Sequence, residues 1–326
     1  MLAASSCHRI IPKHVNGGVA VNRKRSRQRV YIMFLAPALI VYTVFMVYPL
    51  LSSLGYSFIK WDGYIRQGFA GLDNFKKVLF ERPYSERLLG ALRHNVFFFV
   101  VTFLIQTTFG LFVAVALAKG GRFLRVFQTV YFAPYTLSQV VVGFLWLLLL
   151  NPTWGQVNKF LALIGLKGLA RPWLGDMVTA LPTIILVNAW RWLGFPITVY
   201  LAGLQGIPLE LEEAARVDGA TPWQAFRHVV LPLLLPTIGM MTILTFIYDF
   251  NAFELIFIMQ GSSGSPYYST DVLGTFFYRT AFGDATTGGE VGQVGLGSAI
   301  AVLMFLVICA VSIAGVWLIR RQEVEM

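Results

Sequence analysis

The chain has 326 residues, of which 56% are hydrophobic and only 13% charged, with a mean hydropathy of +0.66 and a formal net charge of +10. Ordinary soluble domains carry about 25% charged residues, so this composition excludes them and indicates an all-α membrane protein. The two cysteines, Cys7 and Cys309, lie in a polar tail and in an apolar run, which argues against a disulfide framework; they read as a free thiol and a small buried hydrophobe.

Residues 1–30 hold seven Lys or Arg (Arg9, Lys13, Arg23, Lys24, Arg25, Arg27, Arg29) and no acid. A basic block against a long apolar run reads as a cytoplasmic anchor rather than a nucleic-acid arm. A spanning helix needs about 20 mostly apolar residues. Six stretches qualify: 31–56, 95–118, 127–150, 179–204, 231–259 and 296–319. The first is too long for a signal peptide and lacks a cleavage region behind it, so it reads as retained. The fourth and fifth carry Asn188, Arg191, Asp249 and Glu254. Six spans place both termini on one side. The basic tail, Lys119, Arg122 and Arg125 after span two, and Arg320 and Arg321 at the end all predict that this side is cytoplasmic.

The outer loops are then 57–94, 151–178 and 260–295. The first carries seven basic residues but also Asp62, Asp73, Glu81 and Glu86, and reads as a small ordered cap. In it "LDNFKKVL" predicts a short helix with Asp73 as N-cap. "GSSGS" at 261–265 reads as a flexible loop. Trp154, Trp173 and the Tyr267–Tyr268 pair read as interfacial aromatics. There is no phosphate-loop motif, no H-E-x-x-H and no Cys/His cluster at metal spacing, so nothing speaks for an enzyme or a metal site.

The segment 207–236 is polar inside a greasy chain. Pro208 opens a helix, "LELEEAARVD" supplies good helix formers with acids in the first turns, and Gly219 stops it. Thr221 and Pro222 make an N-cap and first-turn pair, "WQAFRHVV" starts a second short helix, and Leu231–Pro232 begins the next span. A DNA-binding helix–turn–helix would need a basic second helix, and this one offers only Arg227 and His228. An interfacial linker lying on headgroups is the simpler alternative. The acidic cluster Glu210, Glu212, Glu213 and Asp218 suits an anionic leaflet poorly and a basic groove on a partner protein well.

"EAARVDGA", followed by Phe226 and by "LP", resembles the E-A-A---G signature of ABC importer permeases, with Gly219 six and Pro232 nineteen residues after Glu213. "FLAPALIVYTVFMVYPL", "GLDNF", "GFLWLLLLNPTWGQVNKFLALIGL" and "YRTAF" extend the likeness, over roughly residues 31–320, to the carbohydrate-type permeases related to those for maltose and glycerol-3-phosphate. The resemblance implies a type I ABC importer transmembrane-domain fold, with 205–230 as a coupling-helix loop between the tail 1–30 and a short tail 321–326. Glu213 would then face a basic residue of a cytoplasmic ATPase. Ala214 and Ala215 would let the helix seat closely, with Asp218 beside them; Gly219 would make the turn and Phe226 would anchor the second helix. It also implies partners: a second, similar permease chain, two ATPase subunits holding ATP and Mg, an extracytoplasmic solute-binding protein, and a carbohydrate cargo. This chain itself would hold no cofactor.

Ionisable groups within a span cost about 2.5–3.5 kcal/mol on insertion scales unless paired or wet, so they mark a path. Asn188, Arg191 and Trp192 share a face of span four, as do Tyr248 with Asn251 and Asn251 with Glu254 in span five. Asp249 and Asn251 point to different faces. Asn, Asp, Trp and Tyr suit sugar rings, and the resemblance matches Asn188 and Asp249 to substrate-contacting positions. The alternative for Arg191 is a buried bridge to Asp249 or Glu254. Two further readings stay open: the same machine carrying glycerol-3-phosphate or an acidic saccharide, and a proton-coupled carrier using Asp249 and Glu254.

Overall fold

The computed structural model describes residues 19–118, 120, 124–284 and 290–321. Residues 1–18, Lys119, Arg122 and the tail 322–326 lie outside the described residues. The chain divides into two units, 1–53 and 54–326.

The first unit is one long helix, α1 (Val19–Tyr42), which widens into a π turn at Thr43–Val47 and continues as α2 (Tyr48–Tyr56). The widening has a local cause. Pro49 has no N–H to give and would clash with the carbonyl four residues back. One residue before it, Tyr48 N–H bonds the Thr43 carbonyl instead of that of Val44. Residues Tyr31–Tyr56 are long and apolar enough to cross a membrane, as expected.

The second unit opens with an antiparallel hairpin, β1 (Ile59–Asp62) and β2 (Ile65–Phe69), and a short helix, α3 (Asp73–Phe80). Asp73 is not the N-cap expected from sequence. Leu72 holds that position, and the Asp73 carboxylate faces Lys76 at 3.9 Å on the surface. The buried Asn74 does the anchoring, donating to the Ser57 and Ile59 carbonyls at 2.8 and 2.9 Å. Next comes α4 (Tyr84–Ala118), which begins eleven residues before the expected span and packs against most of the later bundle.

Span three is a bent pair, α5 (Leu124–Thr136) and α6 (Gln139–Leu149), meeting at 94°. Pro134 and the Ser138 cap, whose Oγ accepts the Val141 N–H, end one helix and start the other. The linker carries α7 (Gln156–Leu163). Span four is also bent, by 46°, between α8 (Ala180–Trp192) and α9 (Gly194–Gln205). A Cβ at Gly194 would lie 2.7 Å from the Tyr131 carbonyl oxygen, so only glycine lets α9 approach α5 this closely.

The polar hairpin follows as α10 (Leu209–Val217) and α11 (Pro222–Ala225). Pro208 caps α10 rather than opening it. The second short helix and span five are not separate, as the sequence suggested. A π turn at Phe226–Val230 joins α11 to α12 (Leu231–Phe250), giving one apolar helix over Pro222–Phe250. The geometry repeats that at Pro49: Leu231 N–H bonds the Phe226 carbonyl one residue before Pro232.

Span five ends at Phe250, earlier than expected. Asn251 caps it, and Glu254 starts a separate helix, α13 (Glu254–Gln260). Asn251 and Glu254 therefore share no helix face. The chain closes with α14 (Leu273–Phe282), a two-residue strand pair, and α15 (Val294–Arg320). Among the described residues four helices are long enough to cross a membrane, and six spans result when each bent pair counts as one.

The buried side chains form three clusters around α4. One lies under α6, α8 and α13 (Phe98, Val142, Ile184, Ile256). Another joins α3, α12, α14 and α15 (Val78, Phe250, Phe276, Ile300), and the third joins α9 and α12 (Ala114, Tyr200, Met241).

Candidate functional site

Two regions carry polar chemistry that packing does not demand. The first is the hairpin. Glu210 and Glu212 lie in the first turn of α10, where the helix dipole favours acids, and Glu212 pairs with Arg216 at 2.5 Å. The helix ends in a full Schellman arrangement. Ala220 N–H reaches the Ala215 carbonyl at 3.0 Å, Gly219 N–H reaches Arg216 at 3.1 Å, and Gly219 has φ +85°.

α11 starts at once with a capping box: Gln224 N–H donates to Thr221 Oγ1 at 3.3 Å, and Thr221 N–H donates to Gln224 Oε1 at 2.8 Å. Both ends of the turn are thus satisfied internally, which makes the hairpin rigid. Phe226 is half-buried and stacks on exposed Trp223 at 5.7 Å. Glu213, Ala214, Asp218 and Gly219 are exposed, and Ala215 is half-buried. Glu213 has no hydrogen-bond or ion-pair partner among the described residues.

The second region is a cavity of about 610 Å³ where α8 meets the break between α12 and α13. Asn188, Arg191 and Trp192 from α8 line it, with Tyr248, Asp249, Asn251 and Glu254 from the break. The structure therefore brings together every path residue named from the sequence. The end of α12 explains how Asp249 and Asn251 reach one cavity although an unbroken helix would separate them. Asn251 Nδ2 folds back onto the Ile247 carbonyl at 2.7 Å.

Asp249 is 3% exposed and forms the floor; Asn188 Nδ2 donates to its Oδ1 at 3.5 Å, and its Oδ2 has no partner. Trp192 and Tyr248 meet with ring centroids 4.2 Å apart. Arg191 makes no bridge to Asp249 or Glu254. Its Nε donates to the Leu137 carbonyl at 3.1 Å, in the bend between α5 and α6, and its Nη1 is buried without a partner. A half-buried guanidinium held by one carbonyl and the Trp192 ring retains donors for a ligand.

Several residues escaped the sequence reading. Asn95, Thr102 and Gln106 form a buried polar line on α4. Asn95 donates to the Asp249 carbonyl and accepts the Leu273 N–H, both at 2.8 Å, and Gln106 accepts from Thr245 at 3.1 Å. Their spacing, seven and then four residues apart, is that of one helix face and was present in the sequence. The Asp271–Arg279 pair had no comparable signal. It is buried and bidentate, at 2.7 and 3.2 Å, and Arg279 also donates to the Ser262 carbonyl at 2.7 Å. That pair turns "GSSGS" into an ordered loop rather than a flexible one. Of the aromatics read as interfacial, Trp173 instead bonds Asn158 at 2.8 Å, and the Tyr268 ring lies over Arg87 and Arg279.

Comparison with known proteins places these two regions in context. Residues 106–324 match the family model described as "Binding-protein-dependent transport system inner membrane component". The probable ABC transporter permease protein YurN of Bacillus subtilis is 32% identical over 284 residues, covering 86% of this chain and 92% of the relative. The multiple sugar-binding transport system permease protein MsmF of Streptococcus mutans is 32% identical over 295 residues, covering 89% and 95%. A solved bacterial ABC transporter involved in the import of the acidic polysaccharide alginate contains a chain that superposes with a TM-score of 0.75 at 25% identity, covering 93% of this chain and 99% of that one.

Proposed function

We propose that this chain, which belongs to the family of binding-protein-dependent transport system inner membrane components, is the permease subunit that passes a carbohydrate through an ATP-driven ABC importer. The family membership makes it a multi-pass membrane protein and a transport component. It disfavours the proton-coupled carrier that Asp249 and Glu254 left open.

The observation that carries the cargo reading is the 610 Å³ cavity, in which amides, carboxylates and a guanidinium alternate with Trp192 and Tyr248. Sugar rings offer hydroxyls to such groups and flat C–H faces to aromatic ones. Relatives that include a multiple-sugar permease and a fold shared with an alginate importer support the same class. Arg191, with its unpartnered Nη1, favours an acidic saccharide as the second reading.

The hairpin 207–230 supplies the link to energy. In this reading Glu213 and its exposed neighbours seat in a basic groove of an ATPase subunit, which holds the ATP and magnesium. The basic residues of both tails assign them to the cytoplasmic side as well. A second permease chain, two ATPase subunits and a solute-binding protein complete the machine. The energy of ATP-driven closure shifts the balance between two permease conformations.

Co-purification of the tagged chain from its native membrane, followed by ATPase assay, tests this. A second permease and an ATPase in the eluate, with hydrolysis raised by a sugar-loaded binding protein, are expected. A chain that elutes alone from gently solubilised membranes, or hydrolysis indifferent to any loaded binding protein, would refute the assignment.

A further inference from the structure

The floor of the large cavity has another side. Trp192, Tyr248 and Asp249 line the 610 Å³ cavity and also a second void of about 10 Å³, room for about one water molecule. The other walls of that void are Gln106, Thr245, Phe195, Pro196, Met241 and Leu244. Thr245 lies four residues before Asp249 on α12, one helical turn or about 6 Å toward the hairpin. A large chamber and a small void, each with a few polar groups in its lining, are therefore separated by one layer of side chains.

That layer is aromatic and continuous. Trp192 meets Tyr248 at 4.2 Å, Tyr135 at 5.2 Å and Phe195 at 6.2 Å, and Tyr135 stacks on Phe195 at 5.7 Å. The bend between α8 and α9 falls at Leu193, directly after Trp192, so a change in that bend moves this ring.

The polar groups behind the layer need an explanation. Thr102, Gln106 and Thr245 are at most 8% exposed, in helices of mostly apolar sequence. Gln106 and Thr245 bond each other, and the Thr102 hydroxyl lies beside the Asp249 carboxylate. A hydrogen bond between two membrane-embedded side chains adds little stability, so folding alone gives slight reason for a glutamine and a threonine here rather than leucine and valine. A path that must be wet on each side of a barrier in turn does give a reason.

We infer that Trp192 and Tyr248 close the cargo path, and that Gln106 and Thr245 form the next polar station behind them, taking up sugar hydroxyls when the rings part. The inference rests on the carbohydrate-importer reading for its cargo but not for its gate. Asp249 spans the barrier, because its floor position gives it access to both sides.

Two experiments on the assembled transporter in proteoliposomes test it. In the first, Cys7 and Cys309 are replaced by serine and Thr245→Cys is introduced. A membrane-impermeant maleimide is added from the side opposite the hairpin. Labelling should be slow, and at least about tenfold faster when Trp192→Ala is added. A rate that Trp192→Ala leaves unchanged, or fast labelling with Trp192 and Tyr248 intact, would overturn the gate.

In the second, Thr245→Val and Gln106→Leu should each lower the maximal rate of sugar uptake about tenfold. Half-saturation by the loaded binding protein and ATPase stimulation should stay unchanged, and Thr245→Ser should restore uptake. Wild-type uptake by both apolar variants, or equal loss with Thr245→Ser, would overturn the polar station. A wild-type assembly that moves no carbohydrate would sink the cargo reading instead, while the labelling would still decide the gate.

Discussion

Replacing Arg279 by methionine keeps most of the side-chain volume and removes the charge. Asp271 then loses both guanidinium contacts, at 2.7 and 3.2 Å, and keeps the hydroxyl of Thr275 at 2.7 Å. The Ser262 carbonyl loses its 2.7 Å donor. The side chains of the pair are 3% and 4% exposed, so water does not replace what is lost. Removing one partner of such a pair costs about 3–5 kcal/mol, most of it from the stranded charge. At about 2 °C per kcal/mol, the lower end of the range for large domains, the thermal midpoint should fall by on the order of 10 °C. Tryptophan fluorescence of the purified chain in detergent would follow the transition. Asp271→Leu added to Arg279→Met should recover much of the loss, because no charge is then stranded. A single variant within about 2 °C of wild type, or a double variant as unstable as the single, would refute the view that this pair holds the 261–271 loop in place.

Two further outcomes follow from the candidate site. Glu213→Lys should leave the thermal midpoint unchanged, since Glu213 has no partner among the described residues, yet reduce the ATPase retained in a pull-down by at least about tenfold; full retention would remove Glu213 from the docking surface. Asp249→Ala forfeits one long hydrogen bond from Asn188, of a kind that averages about 0.6 kcal/mol in membranes, so the complex should assemble normally while uptake across a panel of neutral and acidic sugars changes its order. An unchanged order would place Asp249 outside the cargo path.

Much of this was legible in the sequence, for identifiable reasons. Span positions follow from hydropathy alone, because every buried backbone group in lipid needs a helix. The hairpin turn was equally readable, since Gly219, Thr221 and Pro222 each have one conformational use there. The bends were not. Pro134 and Pro196 announce irregularity but not its size, and the 94° and 46° angles arise from tertiary contacts such as that of Gly194 with Tyr131. Helix continuity misled in both directions. Pro232 looked like a boundary, but a π turn absorbs it. "FIYDFNAFELIF" looked like one helix but breaks after Phe250, because Ala252 and Phe253 leave the helical path. Asn95, Thr102 and Gln106 were readable as one face, whereas Asp271 and Arg279 are eight residues apart and declare themselves only by burial.

The two misread junctions bear on how the proposed machine works. A separate coupling helix followed by a hinge would let the hairpin swing without moving the span. The π turn instead keeps the helix continuous from Pro222 to Phe250, although Pro232 and Pro236 donate no backbone N–H. At about 1.5 Å per residue, some 40 Å of helix then separates Pro222 from Asp249. A rotation or tilt imposed on the hairpin is carried along this helix toward Thr245, Tyr248 and Asp249, with the π turn and Pro236 as the points where it can bend. The break that was expected at Pro232 lies at Asn251–Phe253 instead, on the far side of the gate residues. The full interruption of the helix therefore sits where the cavity is lined. That placement suits a lever whose moving end carries Tyr248 away from Trp192, and it makes the break, rather than the hairpin, the point at which the cavity wall changes shape.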